Sequence, residues 1–193
     1  MINEEAARRF MTAPWLVEVD RETKLALLNA LAEERAEAGA VLLAQGQPND
    51  RLTFLIDGSV ELERTFSTGR KDIVTTLTTP AVFGTTSFFQ PKPPTVTARA
   101  ITDVWMLTLH HPAHDRLRRE NPRAAEELAL AVVRTLSERF DLLDKLFTDY
   151  IAHHPDAPGS TVSEWSRDRS GTGQKRDRSD IAKSGEFSAC PYC

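Results

Sequence analysis

From about residue 36 to residue 109 the chain is a series of short apolar runs, AVLLA, LTFLI, VELERTF, IVTTL and VWMLTL. Each is cut off by a turn-forming stretch such as QGQPND, DGS, STGRK or TTPAVFG. Runs of this length and spacing fold as β-strands, and strands joined by such short connections close only into an antiparallel sandwich or barrel. The flanks have a different period. Ahead of the strands, Asp20 with Thr23 just inside makes a capped start for RETKLALLNALAEE, where Leu25, Leu28 and Leu31 recur at helical spacing. After HHPAHDRLRRENP the period is helical again, with Pro122 in the first turn of a helix that runs to roughly residue 152. The fold class expected is mainly β with flanking helices (α+β).

The second helix carries its own pattern. Val133, Leu136, Phe140, Leu143, Phe147 and Tyr150 follow one another at strict 3-4-3-4-3 spacing, a heptad seam. Glu138, Arg139, Asp141, Asp144, Lys145 and Asp149 stand between them, so the stripe is narrow. A helix over 122–152 is about 46 Å long at 1.5 Å per residue, longer than the barrel it would cover. The stripe either packs on its own barrel or pairs with a second copy.

With 193 residues, 40% hydrophobic and 27% charged, the chain has one ordinary core and a segment beside it. We read residues 1–13 as an N-terminal extension, 14–152 as the domain, and 155–193 as a disordered tail, because the Gly-, Ser- and Arg-rich tail has too few apolar residues for a core. A net charge of -4 gives no overall pull toward nucleic acid or an anionic membrane. No apolar run reaches the roughly 18 residues that span a bilayer, and the opening MINEEAARRF is too charged for a secretory leader. A cytoplasmic location is expected. The two cysteines, Cys190 and Cys193, form CPYC at the extreme end, where a bridge staples nothing of the fold and no helix follows to lower a thiol pKa.

Helix, some eight strands and a long helix resemble the cyclic nucleotide-binding domain of the catabolite-activator and fumarate-nitrate regulator superfamily. LLAQGQPNDRLTFLIDGSVEL resembles the family's early strands, with Gly46 at a tightened turn and Gly58 closing a hairpin. RAITDVWMLTL resembles its last strand, HHPAHDRLRRENP its short helix, and 122–152 its C-helix. The resemblance covers roughly residues 14–150. It implies a double-stranded β-helix jelly-roll barrel, a ligand pocket inside it, and a homodimer paired through the C-helix.

In that family the phosphate-binding cassette opens Phe-Gly-Glu, and an Arg followed by Ser or Thr comes ten residues after the Gly. The Arg neutralises the cyclic phosphate and the Glu accepts from the ribose 2′-hydroxyl. In FGTTSFFQPKPPTVTARA, Phe83 and Gly84 fall on the first two positions, Thr85 on the Glu, Pro94 on the Arg and Thr95 on the Ser/Thr. The degenerate cassette comprises Phe83, Gly84, Thr85, Thr86, Ser87, Phe88, Lys92, Pro94, Thr95 and Val96. Lys92, flanked by prolines, is read as a solvated loop lysine, and Arg99 as facing away from the pocket. Phe88 and Phe89 either wall a pocket suited to an uncharged or aromatic ligand or pack the core.

No cofactor is implied, although the Gly84 turn and the Thr95 hydroxyl leave room for weak cyclic nucleotide binding. The histidines His110, His111, His114, His153 and His154 lack the ligand spacing of a metal site and are read as mostly solvated. Nothing resembles an enzyme's nucleophile, carboxylate pair or phosphate loop. Regulators of the family carry a helix-turn-helix domain after the C-helix, and no amphipathic helix pair is visible past residue 154. DNA binding by this chain alone is therefore not expected. Three functions stay open: a sensor retuned to a small-molecule effector, a dimerising scaffold with a filled pocket, and a truncated transcription regulator.

Overall fold

The computed structural model describes residues 2–90 and 92–153. The expected tail, with Cys190, Cys193 and His154, lies outside the described residues, as does Pro91. The described residues divide into two units, one through Leu136 and one from Ser137.

Eight strands build the first unit: β1 (Ala32–Ala36), β2 (Val41–Leu43), β3 (Arg51–Asp57), β4 (Ser59–Thr65), β5 (Lys71–Thr78), β6 (Ala81–Phe83), β7 (Thr97–Ala100) and β8 (Val104–His110). They pair antiparallel in two four-stranded sheets, ordered β1-β8-β3-β6 and β2-β7-β4-β5. This is the antiparallel sandwich that the strand spacing predicts and the jelly roll that the resemblance implied. Helices α1 (Glu4–Met11) and α2 (Arg21–Ala30) precede it. Helix α3 (Thr85–Phe89) is inserted after β6, and α4 (His111–Glu120) and α5 (Pro122–His153) follow β8.

The side-chain period of two explains why LTFLI is apolar throughout. In β3, Leu55 enters the barrel core with Val60, Phe83, Ala98, Val104 and Met106. Its neighbours Leu52, Phe54 and Ile56 enter a second core with Phe10, Leu16, Leu107, Leu109 and Leu128. Both faces of this strand are covered, so its alternation disappears from the sequence. Each such fully buried large side chain contributes roughly 1.5–3 kcal/mol.

Three readings change. The segment set apart as an extension is α1, and its Ala6 and Phe10 are buried in the second core. Asp20 does cap α2, accepting from the Thr23 N–H at 3.0 Å, but the buried residues are Thr23 and Leu27, while Leu25 is exposed. The helix also stops at Ala30, because Ala32 to Ala36 pair with β8 residue for residue. Ladder hydrogen bonds to a buried strand outweigh the helical propensity of LAEE. Finally, TTPAVFG contains β6, a three-residue strand against β3.

Helix α5 begins as expected, with Pro122 at its first position and the Asn121 Oδ1 accepting from the Ala124 N–H at 3.0 Å. Along it Val133, Leu136, Phe140 and Phe147 are exposed in the single chain, and Leu143 and Tyr150 are half-buried. Among the described residues, no helix is long and apolar enough to cross a membrane.

Candidate functional site

The cassette begins where β6 ends. Gly84 has φ +76°, and a Cβ there would stand 2.9 Å from the Arg51 carbonyl oxygen. Only glycine turns the strand into α3 at this point without strain. One side chain that sequence reasoning passed over holds the turn. The Asn49 Nδ2 donates to the Arg51 carbonyl at 2.8 Å and to the Ser87 Oγ at 3.0 Å, and lies 3.5 Å from the Gly84 carbonyl. Asn49 sits in QPND, whose composition signals a turn and nothing more; its partner Ser87 is 38 residues away.

The residues of the cassette separate by place. Phe83 lies in the barrel core. Thr85 is 4% exposed and Ser87 is buried, whereas Thr86 is exposed. Phe88, 5% exposed, belongs to the second core and not to the barrel, since α3 turns it toward α4. Its ring stacks on His111 at 4.5 Å, and the His111 Nε2 donates to its carbonyl at 3.0 Å. Of the two readings of the phenylalanine pair, Phe88 takes the core, while Phe89 remains 39% exposed beside it. The returning loop carries Lys92, exposed, and Pro94, buried, whose carbonyl accepts from the Gly46 N–H at 2.9 Å. Thr95 is exposed and Val96 half-buried.

The nearby cations are engaged elsewhere. Arg99 alternates with the inward Ala98 and Ala100, and its Nε donates to Glu63 at 3.0 Å. Arg134, on α5, pairs with Glu18 at 3.0 Å.

The histidines near the strands are half-buried and partnered. His110 lies between Asp50 (3.3 Å) and Glu34 (3.4 Å), and the same Glu34 accepts from Thr108 at 2.6 Å and pairs with Arg51 at 2.7 Å. His114 contacts the Phe88 and Phe89 rings at 5.3 and 5.8 Å. Burial, and then the Arg118 charge, hold its pKa below the ordinary imidazole value. These contacts arise from strand register, which residue spacing does not display. Among the described residues no three His, Cys, Asp or Glu side chains stand close enough to hold a metal ion.

Two grooves lie outside the barrel core. One of about 1030 Å³ follows α1, the end of α2 and β1 past Glu33 and Arg35. There the Glu33 carboxylate accepts from the Asn3 N–H at 2.6 Å and the Trp105 Nε1 at 2.8 Å, and the first of these leads in lowering its pKa. The other, about 620 Å³, lies between α3, α4 and the first turns of α5.

A jelly roll with a glycine-opened helix after its sixth strand and a long helix after its eighth is the architecture of an effector-binding regulatory domain. The family model of the cyclic nucleotide-binding domain matches residues 33–121. The N-terminal domain of a transcriptional regulator from Streptomyces coelicolor A3(2) is 30% identical, with a TM-score of 0.59 over 70% of this chain and 94% of that one. A cyclic nucleotide-binding domain from Methylobacillus flagellatus KT, 18% identical with a TM-score of 0.67 over 76% of this chain and 83% of that one, shares the fold. The CRP-like cAMP-activated global transcriptional regulator of Mycobacterium tuberculosis is 32% identical over 112 residues, 58% of this chain. The match spans 50% of that regulator's length. The chain belongs to the cyclic nucleotide-binding domain family, on its catabolite-activator and fumarate-nitrate regulator branch.

Proposed function

We propose that this chain is a cytoplasmic, non-catalytic regulatory domain that dimerises through α5 and whose barrel no longer takes cyclic nucleotides as its effector. A ligand of other chemistry, or none, occupies that role. One observation carries the reading: the two family positions that charge the pocket hold Thr85 and Pro94. A charge-assisted hydrogen bond is worth about 1.5–3 kcal/mol, and a phosphate buried without its cation costs more. Pro94 supplies neither a side-chain nor a backbone donor. Lys92 is exposed, Arg99 pairs with Glu63 and Arg134 with Glu18, so none of these cations supplies the missing charge.

The Mycobacterium relative is described as cAMP-activated. A micromolar-class site is worth about -8 kcal/mol, and loss of the phosphate cation and the ribose acceptor leaves a dissociation constant on the order of 0.1 mM or weaker. Titration calorimetry of the wild type with cyclic AMP and cyclic GMP tests this. Micromolar binding of either would overturn it.

A second reading, a DNA-binding regulator, is favoured by the transcription regulators among the relatives. An operator-DNA mobility shift with the full chain separates the two.

A further inference from the structure

The groove between α3, α4 and α5 has a composition unlike the barrel's. Its floor is aromatic: Phe88 and Phe89 meet edge to face at 5.1 Å, and the His114 ring closes on both. Phe89 keeps 39% of its surface open, a large apolar area on a helix of five residues. Across from it, Ala125 and Ala129 stand one turn apart on α5, and their small side chains keep that wall low enough for a flat ring. A volume of about 620 Å³ falls in the range of small-molecule sites.

The lining includes one cation, Arg118, and one anion, Glu126, both on its open side. Arg118 reaches its own-helix neighbour Asp115 only at 3.9 Å, and Glu126 has no ion-pair partner among the described residues. Burial disfavours the protonated form of His114, so its ring serves the groove as an aromatic face. A ligand that is only an acid leaves Glu126 opposing it, and one that is only an amine leaves Arg118 opposing it. A zwitterion satisfies both.

We propose that this groove binds an aromatic α-amino acid, its ring against Phe89 and His114, its carboxylate toward Arg118 and its ammonium toward Glu126. The site is separate from the barrel interior and does not depend on what the barrel takes. It touches the outer side of the cassette helix, so occupancy is felt by α3 through Phe88, whose carbonyl is bonded to His111 on α4.

The test titrates the full chain with L-phenylalanine, phenylacetate and phenethylamine, by calorimetry or saturation-transfer NMR. L-phenylalanine should bind at least about tenfold more tightly than either singly charged probe. Arg118→Gln should reduce its affinity to that of phenethylamine, Glu126→Gln to that of phenylacetate, and Phe89→Ala should abolish binding. Arg118 and Glu126 are exposed, so their substitution leaves the fold in place, which the melting curve checks. No binding of L-phenylalanine at millimolar concentration, equal binding of the three probes, or unchanged binding in Phe89→Ala would overturn the proposal. Cyclic nucleotide titrations of Arg118→Gln and Glu126→Gln, both outside the cassette helix, read the barrel on its own, so the two readings fail separately.

Discussion

Gly84 and His114 show how differently single residues register in a sequence. Gly84 was legible because it falls on the glycine of the resembled cassette, and the structure gives the reason for that glycine, a φ of +76° between a strand and a helix that only glycine adopts cheaply. Gly84→Ala should destabilise the domain by about 1–3 kcal/mol in denaturant unfolding, through backbone strain and the approach to the Arg51 carbonyl. An unchanged midpoint would contradict it. His114 was not legible, since its aromatic contacts depend on where α3 places Phe88 and Phe89. Its folded pKa lies below the ordinary imidazole value, so the unfolded chain takes up the proton first as the pH falls. The stability contributed by neutral His114 is complete above about pH 6.5 and is lost as the pH falls from there toward the folded pKa. His114→Gln should therefore flatten the fall in melting temperature as the pH drops below about 6.5. A decline identical to the wild type would show that another group governs it. Asn49 belongs with His114, as its role lies in partners far along the chain.

At the scale of elements, the long strands and β2, inside AVLLA, were readable, and β1 and β6 were not. β4 and β5 keep their runs and their turns, whereas β6 is three residues and β1 is the charged AEERA. What makes β1 a strand is its partner β8, a long-range pairing that local propensity does not encode. In the same way EEAARRF has too few apolar residues to announce α1, yet Phe10 fills a site against Phe54, ring to ring at 5.3 Å. α5 shows the opposite: its heptad was plain in the sequence, and in the single chain Phe140 is 67% exposed. The proposed dimer would bury that stripe. Phe140→Glu with Phe147→Glu should convert the dimer to a monomer in sedimentation equilibrium. A wild type that already sediments as a monomer would contradict the pairing.

Over the whole molecule, the two cores divide the labour. The barrel core carries Phe83 and the inward residues of β3, β4, β7 and β8, while the second core ties α1, α2, α4 and α5 to the outside of one sheet. α3 stands between them, with Phe83 ahead of it in the first and Phe88 within it in the second. The fold class was legible because two periodicities and their punctuation encode it, and the cassette because its residues fall close together in the chain. The groove was not, because Phe89, Arg118 and Glu126 are brought together by helix packing alone. The proposed loss of cyclic nucleotides rests on two positions, Thr85 and Pro94. Its most direct measurement is calorimetry of cyclic AMP with the wild type and with Thr85→Glu, Pro94→Arg side by side. Weak or absent binding by the wild type and a gain of at least about tenfold in the double variant are predicted, as restoring one charge-assisted contact alone implies. Tight binding by the wild type, or no gain in a folded double variant, would contradict the account.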